Sequence, residues 1–142
     1  MIPIIIFHIG NNDYLRVAIK QAESYNNLVY LIGDNSNKDF CKNHLDWTQF
    51  INPDFANIYK HISPNNYPFE KICIERWIII YNFMVKYNIE KAFICDSDVL
   101  VYCNIDNIVE IFCKKGSNTS VITRVARFTV NGFCQPSYRS SM

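Results

Sequence analysis

The chain has 142 residues, of which 49% are hydrophobic, 15% aromatic and 19% charged, and its formal net charge is +1. This composition predicts one globular domain with a buried core and excludes a disordered chain. A net charge near zero gives no indication of a nucleic-acid partner, and we expect none.

The apolar start of the chain, Met1 to Phe7, lacks the basic residues and the cleavage site of an export signal. It is also far shorter than the ~20 residues that a membrane helix needs. The six cysteines form no C-x-x-C pair, which indicates free thiols in a reducing compartment. We therefore expect a soluble, cytoplasmic protein without a transmembrane segment.

The first 35 residues are typical of a strand, a helix and a second strand. The apolar run 2–8 predicts the first strand, and 10–13 has the composition of a turn and helix cap. A helix is expected to continue to Tyr25, and Leu28 to Ile32 predicts a second strand, which Gly33-Asp34-Asn35 ends. Such a unit predicts parallel strands joined by a right-handed crossover.

The middle of the chain contains one clear element, a helix from Phe69 to Tyr87 that begins just after Pro68. Residues 36–68 are poorly patterned and favour only short helical turns near 40–44 and 55–61. The periodicity of the long helix assigns Cys73, Trp77, Ile80, Met84 and Tyr87 to its inner face, and Lys71, Glu75, Asn82 and Lys86 to its outer face.

A buried strand is predicted at Ala92 to Cys95, followed by Asp96-Ser97-Asp98 and by a second apolar, strand-like run, Val99 to Tyr102. A short helix, Asn104 to Lys114, and a further strand, Ser120 to Arg124, complete the pattern. These elements predict an α/β fold with a mostly parallel central sheet flanked by helices.

The two carboxylates of Asp96-Ser97-Asp98 indicate a metal site. Charge beside an apolar strand is costly unless it is compensated, and Mg²⁺ or Mn²⁺ shared with substrate phosphates compensates a carboxylate pair. Ligands of open α/β sheets bind outside the carboxyl ends of the strands, where this pair would lie. Side chains alternate along a strand, so the backbone must turn here if Asp96 and Asp98 hold one ion. The alternative is that one Asp only stabilises a turn.

Arg76 lies at the flank of the apolar stripe of the long helix. A crossover helix runs antiparallel to the strands, so its first turns lie near their carboxyl ends. Arg76 would then reach the same crevice as the Asp pair and suit a phosphate or ribose. A salt bridge to Asp34, or near Glu75, is the alternative.

The residues that end the first two strands are candidates for a nucleoside pocket. Phe7, His8, Ile9 and Gly10 would place apolar side chains and backbone amides beside the crevice, which suits a nucleobase. A packed or hydrogen-bonded His8 is favoured over a metal ligand. Asp34 would accept hydrogen bonds from a base or ribose, although Gly-Asp-Asn is also ordinary turn chemistry.

With these residues in place, the chain resembles the N-terminal half of GT-A-fold glycosyltransferases that carry a D-x-D motif, closest to the family 8 type that includes glycogenin. The resemblance spans roughly residues 2–110 and depends on Asn12-Asp13-Tyr14, Val29 to Asp34, Glu75-Arg76-Trp77, Phe93 to Val101 and Asn104-Ile105.

The resemblance implies a Rossmann-like GT-A fold and a metal-dependent transfer of sugar from a nucleotide-diphosphate sugar, for which a UDP-sugar is expected. Asp96 and Asp98 would bind Mn²⁺ or Mg²⁺ against the diphosphate. The acceptor, whether glycan, lipid or protein, is not identified. The remaining donor-binding residues implied are Phe7, His8, Ile9, Asn12, Tyr14, Asp34, Arg76 and Ser97.

Such enzymes are usually longer, and their later half supplies the acceptor cleft and commonly a third metal ligand, often His. No His follows His61 and no carboxylate follows Glu110. We therefore expect residues 1–142 to form a single GT-A-type domain, truncated at its C-terminus, without the acceptor-binding part.

Two alternatives remain open. In a haloacid-dehalogenase-like phosphotransferase, Asp96 would be the nucleophile and Asp98 the general acid and base. That class needs a further acidic pair downstream, and nothing after Glu110 supplies one. A non-catalytic, nucleotide-sugar-binding remnant would keep the same site without transfer.

Overall fold

Four parallel strands form the central sheet in the computed structural model, which describes residues 1–115. They lie in the order β3-β2-β1-β4, so that β1 pairs with β2 on one side and with β4 on the other. The chain moves outward from β1 to β3 and then returns to add β4 beside β1. The strands are β1 (Ile4–Phe7), β2 (Val29–Gly33), β3 (Asn43–Asp46) and β4 (Phe93–Cys95).

Helices cover both faces of this sheet. The side chains of β1 alternate between the two faces, and on each face they pack into a buried cluster. Ile4 and Ile6 pack in the cluster that contains α1 and the start of α4, whereas Ile5 packs with α3. The crossovers β1–α1–β2 and β3–α3–β4 run in opposite directions along the sheet. A common right-handed sense therefore requires α1 and α3 on opposite faces, as observed. The helices are α1 (Asp13–Tyr25), α2 (Phe55–Ile58), α3 (Tyr67–Lys86) and α4 (Ile105–Lys115), with a 3-10 turn at Trp47–Phe50.

This architecture confirms the predicted α/β fold with a parallel sheet flanked by helices, and it is compatible with a Rossmann-like fold. The predicted parallel pairing of the first two strands is also confirmed, since β1 and β2 are parallel neighbours joined by α1. The predicted strand at 120–124 lies outside the described residues.

Asn26 joins the end of α1 to the start of α4. Its backbone N–H and its side-chain Nδ2 both donate to Ala22 O, which caps the helix. The same Nδ2 donates to Cys103 O, and Oδ1 accepts from Ile105 N at 2.9 Å. One buried side chain therefore ends one helix and fixes the position at which the other begins.

The long helix α3 begins at Tyr67, two residues before the predicted start, with Pro68 in its first turn. Its buried face contains Ile79 and Phe83, both fully covered. Glu75, predicted to face solvent, is only 3% exposed and accepts a hydrogen bond from Lys71 at 3.1 Å. The pair keeps a buried carboxylate compensated.

The prediction that Tyr87 belongs to the inner face of the helix was wrong, because Tyr87 lies just beyond α3 and is 44% exposed. No helix within residues 1–115 has the length and apolar composition needed to span a bilayer.

Two further local predictions were wrong. The segment 40–44 was expected to form a helical turn, but Asn43–Asp46 forms the edge strand β3. The strand-like run 99–102 is not a strand: β4 ends at Cys95, and only Val101 of the run is buried, against α1 and α4. An apolar run that packs below a turn has the same composition as a short strand, and periodicity does not separate the two.

Candidate functional site

The candidate site lies at the carboxyl ends of β1 and β4, where the strand order reverses. The helix that follows β1, α1, and the helix that leads into β4, α3, pack on opposite faces of the sheet. Ligands of open α/β sheets bind in the crevice outside the carboxyl ends of the strands at such a point. His8 follows β1, and Asp96 follows β4. The topology therefore brings together two of the regions to which the sequence assigns ligand binding.

The backbone turns at Asp96-Ser97-Asp98, as a shared metal requires. Val99 N donates to Asp96 O at 3.1 Å, which closes a turn directly after β4. Both carboxylates are exposed, and no group of the described side chains and backbone donates to the Asp98 carboxylate. The two Asp side chains are thus released from strict strand alternation.

The donors in this turn fit a hard cation held jointly with a ligand. Carboxylate oxygens suit Mg²⁺ or Mn²⁺, and Mg²⁺ commonly takes one or two carboxylates and fills its other positions with water and phosphate. No cluster of three or more potential ligands occurs among the described residues. Burial, and then the Asp96 carboxylate, raise the pKa of the Cys95 thiol to about 12, so no thiolate competes for a soft metal.

Arg76 reaches the turn from α3. Its Nη1 donates to Asp96 Oδ1 at 2.8 Å, and Cζ lies 5.0 Å from the centroid of the Trp77 ring. Nε is buried and has no hydrogen-bond partner among the described residues. The prediction that Arg76 lies beside the Asp pair is confirmed. The alternative, an ion pair of Arg76 with Asp34 or near Glu75, is not present among the described residues.

His8 links the end of β1 to the motif after β4. It is 9% exposed, its Nδ1 lies 2.9 Å from Ser97 Oγ, and its Nε2 lies 3.1 Å from Asn12 Nδ2. The Tyr14 ring packs edge-on against it, with the centroids 5.7 Å apart. Burial lowers the pKa of His8, and the nearby Asp34 carboxylate only partly opposes this effect. The ring is therefore neutral at pH 7 and is hydrogen-bonded, as the sequence favoured.

Asp34 holds the loop that follows β1. Its Oδ2 accepts from Gly10 N at 2.9 Å, and its Oδ1 accepts from the backbone and hydroxyl of Ser36. Gly10 has a φ of +103°, a conformation that favours glycine. Burial raises the pKa of Asp34, but the hydrogen bonds from Ser36 and Gly10 outweigh it and lower the pKa below its usual value. The turn chemistry foreseen for Gly-Asp-Asn is thus present.

The lowered pKa of Asp34 gives a pH-dependent contribution to stability. Because the folded-state pKa lies below the unfolded value, the contribution is complete above pH ~4 and is lost as the pH falls through the folded-state pKa. We expect the free energy of unfolding to decrease less on acidification in Asp34→Asn than in the wild type, measured in urea from pH 6 to pH 2. An exposed control, Asp39→Asn, should follow the wild-type curve. Identical slopes for Asp34→Asn and the wild type would contradict this account.

Asn37 organises the same loop, although no sequence pattern singles it out. The side chain is completely buried, and Nδ2 donates to His8 O at 3.0 Å and to Gly10 O at 2.9 Å. Its Oδ1 accepts from His44 Nε2 at 3.0 Å. A Cβ at Gly33 would collide with this side chain, so glycine is required there. Asn37 lies in an Asn-rich segment without periodicity, where no local signal distinguishes it.

Three of the predicted residues, Phe7, Ile9 and Tyr14, lie at the edge of the site. Phe7 is partly buried and packs with the α3 cluster, so that it supports the wall of the crevice from the core side. Ile9 is 39% exposed, and Tyr14 is 48% exposed. Most of the predicted site residues are connected by side-chain contacts or along the chain into one group: Arg76, Asp96, Ser97, His8, Asn12 and Tyr14. Asp34 lies beside this group and is hydrogen-bonded to Gly10.

No protein-family model matches the chain, and no significant match was found among curated proteins or solved structures.

Proposed function

We propose that the chain is the donor-binding domain of a metal-dependent glycosyltransferase of the GT-A type, similar to family 8, which takes its sugar from a nucleotide-diphosphate sugar such as a UDP-sugar. One observation carries the proposal. The turn Asp96-Ser97-Asp98 ends β4 at the point where the strand order reverses, and Arg76 contacts the first of its carboxylates. Carboxylates and a guanidinium at this location suit a diphosphate bound through a divalent cation.

In this function Asp96 and Asp98 hold Mn²⁺ or Mg²⁺, which supplies charge stabilisation for the departing nucleoside diphosphate. Arg76 supports the same charge with a permanent cation. The ion pair with Arg76 involves only Oδ1 of Asp96. Asp96 Oδ2 and both oxygens of Asp98 therefore accept no hydrogen bond from the described residues.

The nucleoside would lie on the β1 side of the crevice. Tyr14 offers an exposed aromatic ring, fixed edge-on against His8, and Asn12 donates to its hydroxyl at 3.1 Å. Ile9 adds an exposed apolar surface. An aromatic and apolar wall with a few polar groups suits a base and ribose. The Asp34 oxygens already accept three hydrogen bonds. Asp34 therefore supports the nucleoside pocket indirectly, by holding the loop that contains Gly10.

Calorimetric titration with UDP and then GDP, with and without Mn²⁺, tests this function. We expect UDP to bind only when Mn²⁺ is present, and Asp98→Ala to abolish that binding while the circular dichroism spectrum is unchanged. The matched control Asp39→Ala removes another exposed carboxylate, in the β2–β3 loop, and should bind as the wild type does.

Equal UDP affinity with and without Mn²⁺, or metal-dependent affinity retained in Asp98→Ala, would overturn the assignment. Absence of UDP and GDP binding, together with binding of a phosphate mimic that Asp96→Asn removes, would favour the phosphotransferase alternative. Metal-dependent UDP binding without hydrolysis or transfer of a UDP-sugar would identify a binding remnant.

A further inference from the structure

Ser97 stands between two carboxylates, and its hydroxyl contacts a buried histidine. Ser97 Oγ lies 2.9 Å from Nδ1 of His8, whose ring belongs to the end of the neighbouring strand. The donor-binding role proposed above assigns functions to Asp96 and Asp98 but leaves the direction of this hydrogen bond unexplained. That direction decides whether the serine hydroxyl donates to His8 or to a ligand.

The other ring nitrogen of His8 determines the direction. Nε2 faces Nδ2 of Asn12 at 3.1 Å, and an amide nitrogen only donates. Nε2 must therefore accept, so the single proton of the neutral ring is on Nδ1. The second hydrogen of the same amide is directed to Tyr14 Oη at 3.1 Å, which leaves Asn12 Nδ2 with both donors used.

It follows that His8 Nδ1–H donates to Ser97 Oγ. The Ser97 O–H then remains available to donate, and it has no acceptor among the described groups of the chain. Ser97 is half-buried beside the crevice, between side chains that are exposed. An oriented, unused donor in this position suits an anionic oxygen.

We infer that the Ser97 hydroxyl donates a hydrogen bond to the phosphate oxygens of the bound nucleoside diphosphate, and that Asn12 and His8 are positioning residues that orient it. The inference rests on the proposed donor site. The opposite arrangement, in which Nε2 carries the proton and Ser97 donates to Nδ1, would withdraw this donor from the ligand. The two arrangements differ in a property that can be measured without any ligand.

The tautomer of His8 is read from long-range ¹H–¹⁵N correlation spectra at pH 7.5 of protein labelled with ¹⁵N-histidine. The chain contains three histidines, and the His8→Gln spectrum identifies the His8 signals. We expect a protonated Nδ1 and an unprotonated Nε2. The Nε2–H form in the wild type would overturn the inference.

Asn12→Asp reverses the direction of the two hydrogen bonds that the His8 ring makes. A carboxylate only accepts, so it draws the ring proton to Nε2, and Nδ1 then accepts from Ser97. Aspartate is as good a residue as asparagine before a helix, so α1 keeps its N-terminus. We expect the tautomer to switch and the affinity for UDP with Mn²⁺ to fall roughly 10- to 100-fold, the effect of losing a hydrogen bond to a charged group. Asn11→Asp adds the same charge one residue earlier, on an exposed side chain, and should leave the tautomer unchanged.

Ser97→Ala should lose affinity by a similar factor, and combining it with Asn12→Asp should cost little more, because both changes remove the same donor. Ser97→Thr keeps the hydroxyl and should bind within a few-fold of the wild type. If Ser97→Ala binds UDP as tightly as the wild type, the inference is wrong while the proposed function stands. If the wild type binds neither UDP nor GDP with Mn²⁺, the proposed function and the ligand role of Ser97 are both overturned, although the spectrum still reports the tautomer.

Discussion

Asn37→Ala is expected to lower the free energy of unfolding by roughly 3 kcal/mol or more, because it leaves polar groups without partners. The side chain is fully buried and makes hydrogen bonds to His8 O, Gly10 O and His44 Nε2. Alanine leaves these groups unsatisfied and opens a gap beside Gly33. Urea denaturation followed by circular dichroism measures the change.

The matched control is Asn35→Ala, which removes an exposed asparagine two residues earlier. It should change the free energy of unfolding by less than about 0.5 kcal/mol, as surface substitutions generally do. Equal losses for the two variants would show that the Asn37 hydrogen bonds add little. Because the two carbonyls belong to the loop after β1, the Asn37 variant should also weaken UDP binding under conditions in which it remains folded.

Replacing Arg76 by methionine should change two affinities in opposite directions. Arg76 neutralises Asp96 at 2.8 Å, so its removal should strengthen the binding of Mn²⁺ alone, by about three- to tenfold for an exposed pair. The same change removes a cation from the diphosphate site and should weaken UDP binding in saturating Mn²⁺ by roughly 10- to 100-fold. Methionine keeps the aliphatic bulk over Trp77.

Titration of Mn²⁺ by electron paramagnetic resonance and of UDP by calorimetry measures both affinities. Lys86→Met removes one positive charge from the last turn of the same helix, about 15 Å along its axis, and should alter neither affinity. Parallel losses of Mn²⁺ and UDP affinity in Arg76→Met would indicate that Arg76 only maintains the local structure.

The parts of the fold that have apolar runs or helical periodicity were predictable. β1, β2 and β4 are short apolar runs between polar turns, and α1 and α3 carry buried residues at helical spacing. The edge strand β3 has the sequence Asn-His-Leu-Asp, and all four of its residues are only partly buried. It forms because β2 offers a free edge for pairing, and such a tertiary cause leaves no local pattern.

The site was predictable to the extent that topology determines it. The expectation that a crossover helix brings Arg76 to the carboxyl end of the next strand required only the order of the elements, and Arg76 does contact Asp96. The contact between His8 and Ser97 was not foreseen, because it depends on the register between β1 and β4 and on side-chain orientation. Asn37 was missed because two of its three hydrogen bonds go to backbone carbonyls, which all residues possess, and the third depends on how His44 is placed by β3.

The position of β4 beside β1 has a consequence for the order of folding. His8 and Ser97 are 89 residues apart in the chain, so the site closes one of the longest loops among the described residues. Long loops close late, since their entropy must be overcome before their contacts form. On the ribosome, β1, α1 and β2 can assemble as a local unit. The edge of β1 that pairs with β4 stays unpaired until residue 98 has emerged. A nucleotide that contacts both strand ends would stabilise this last pairing through mass action, so ligand binding and completion of the sheet are one coupled equilibrium.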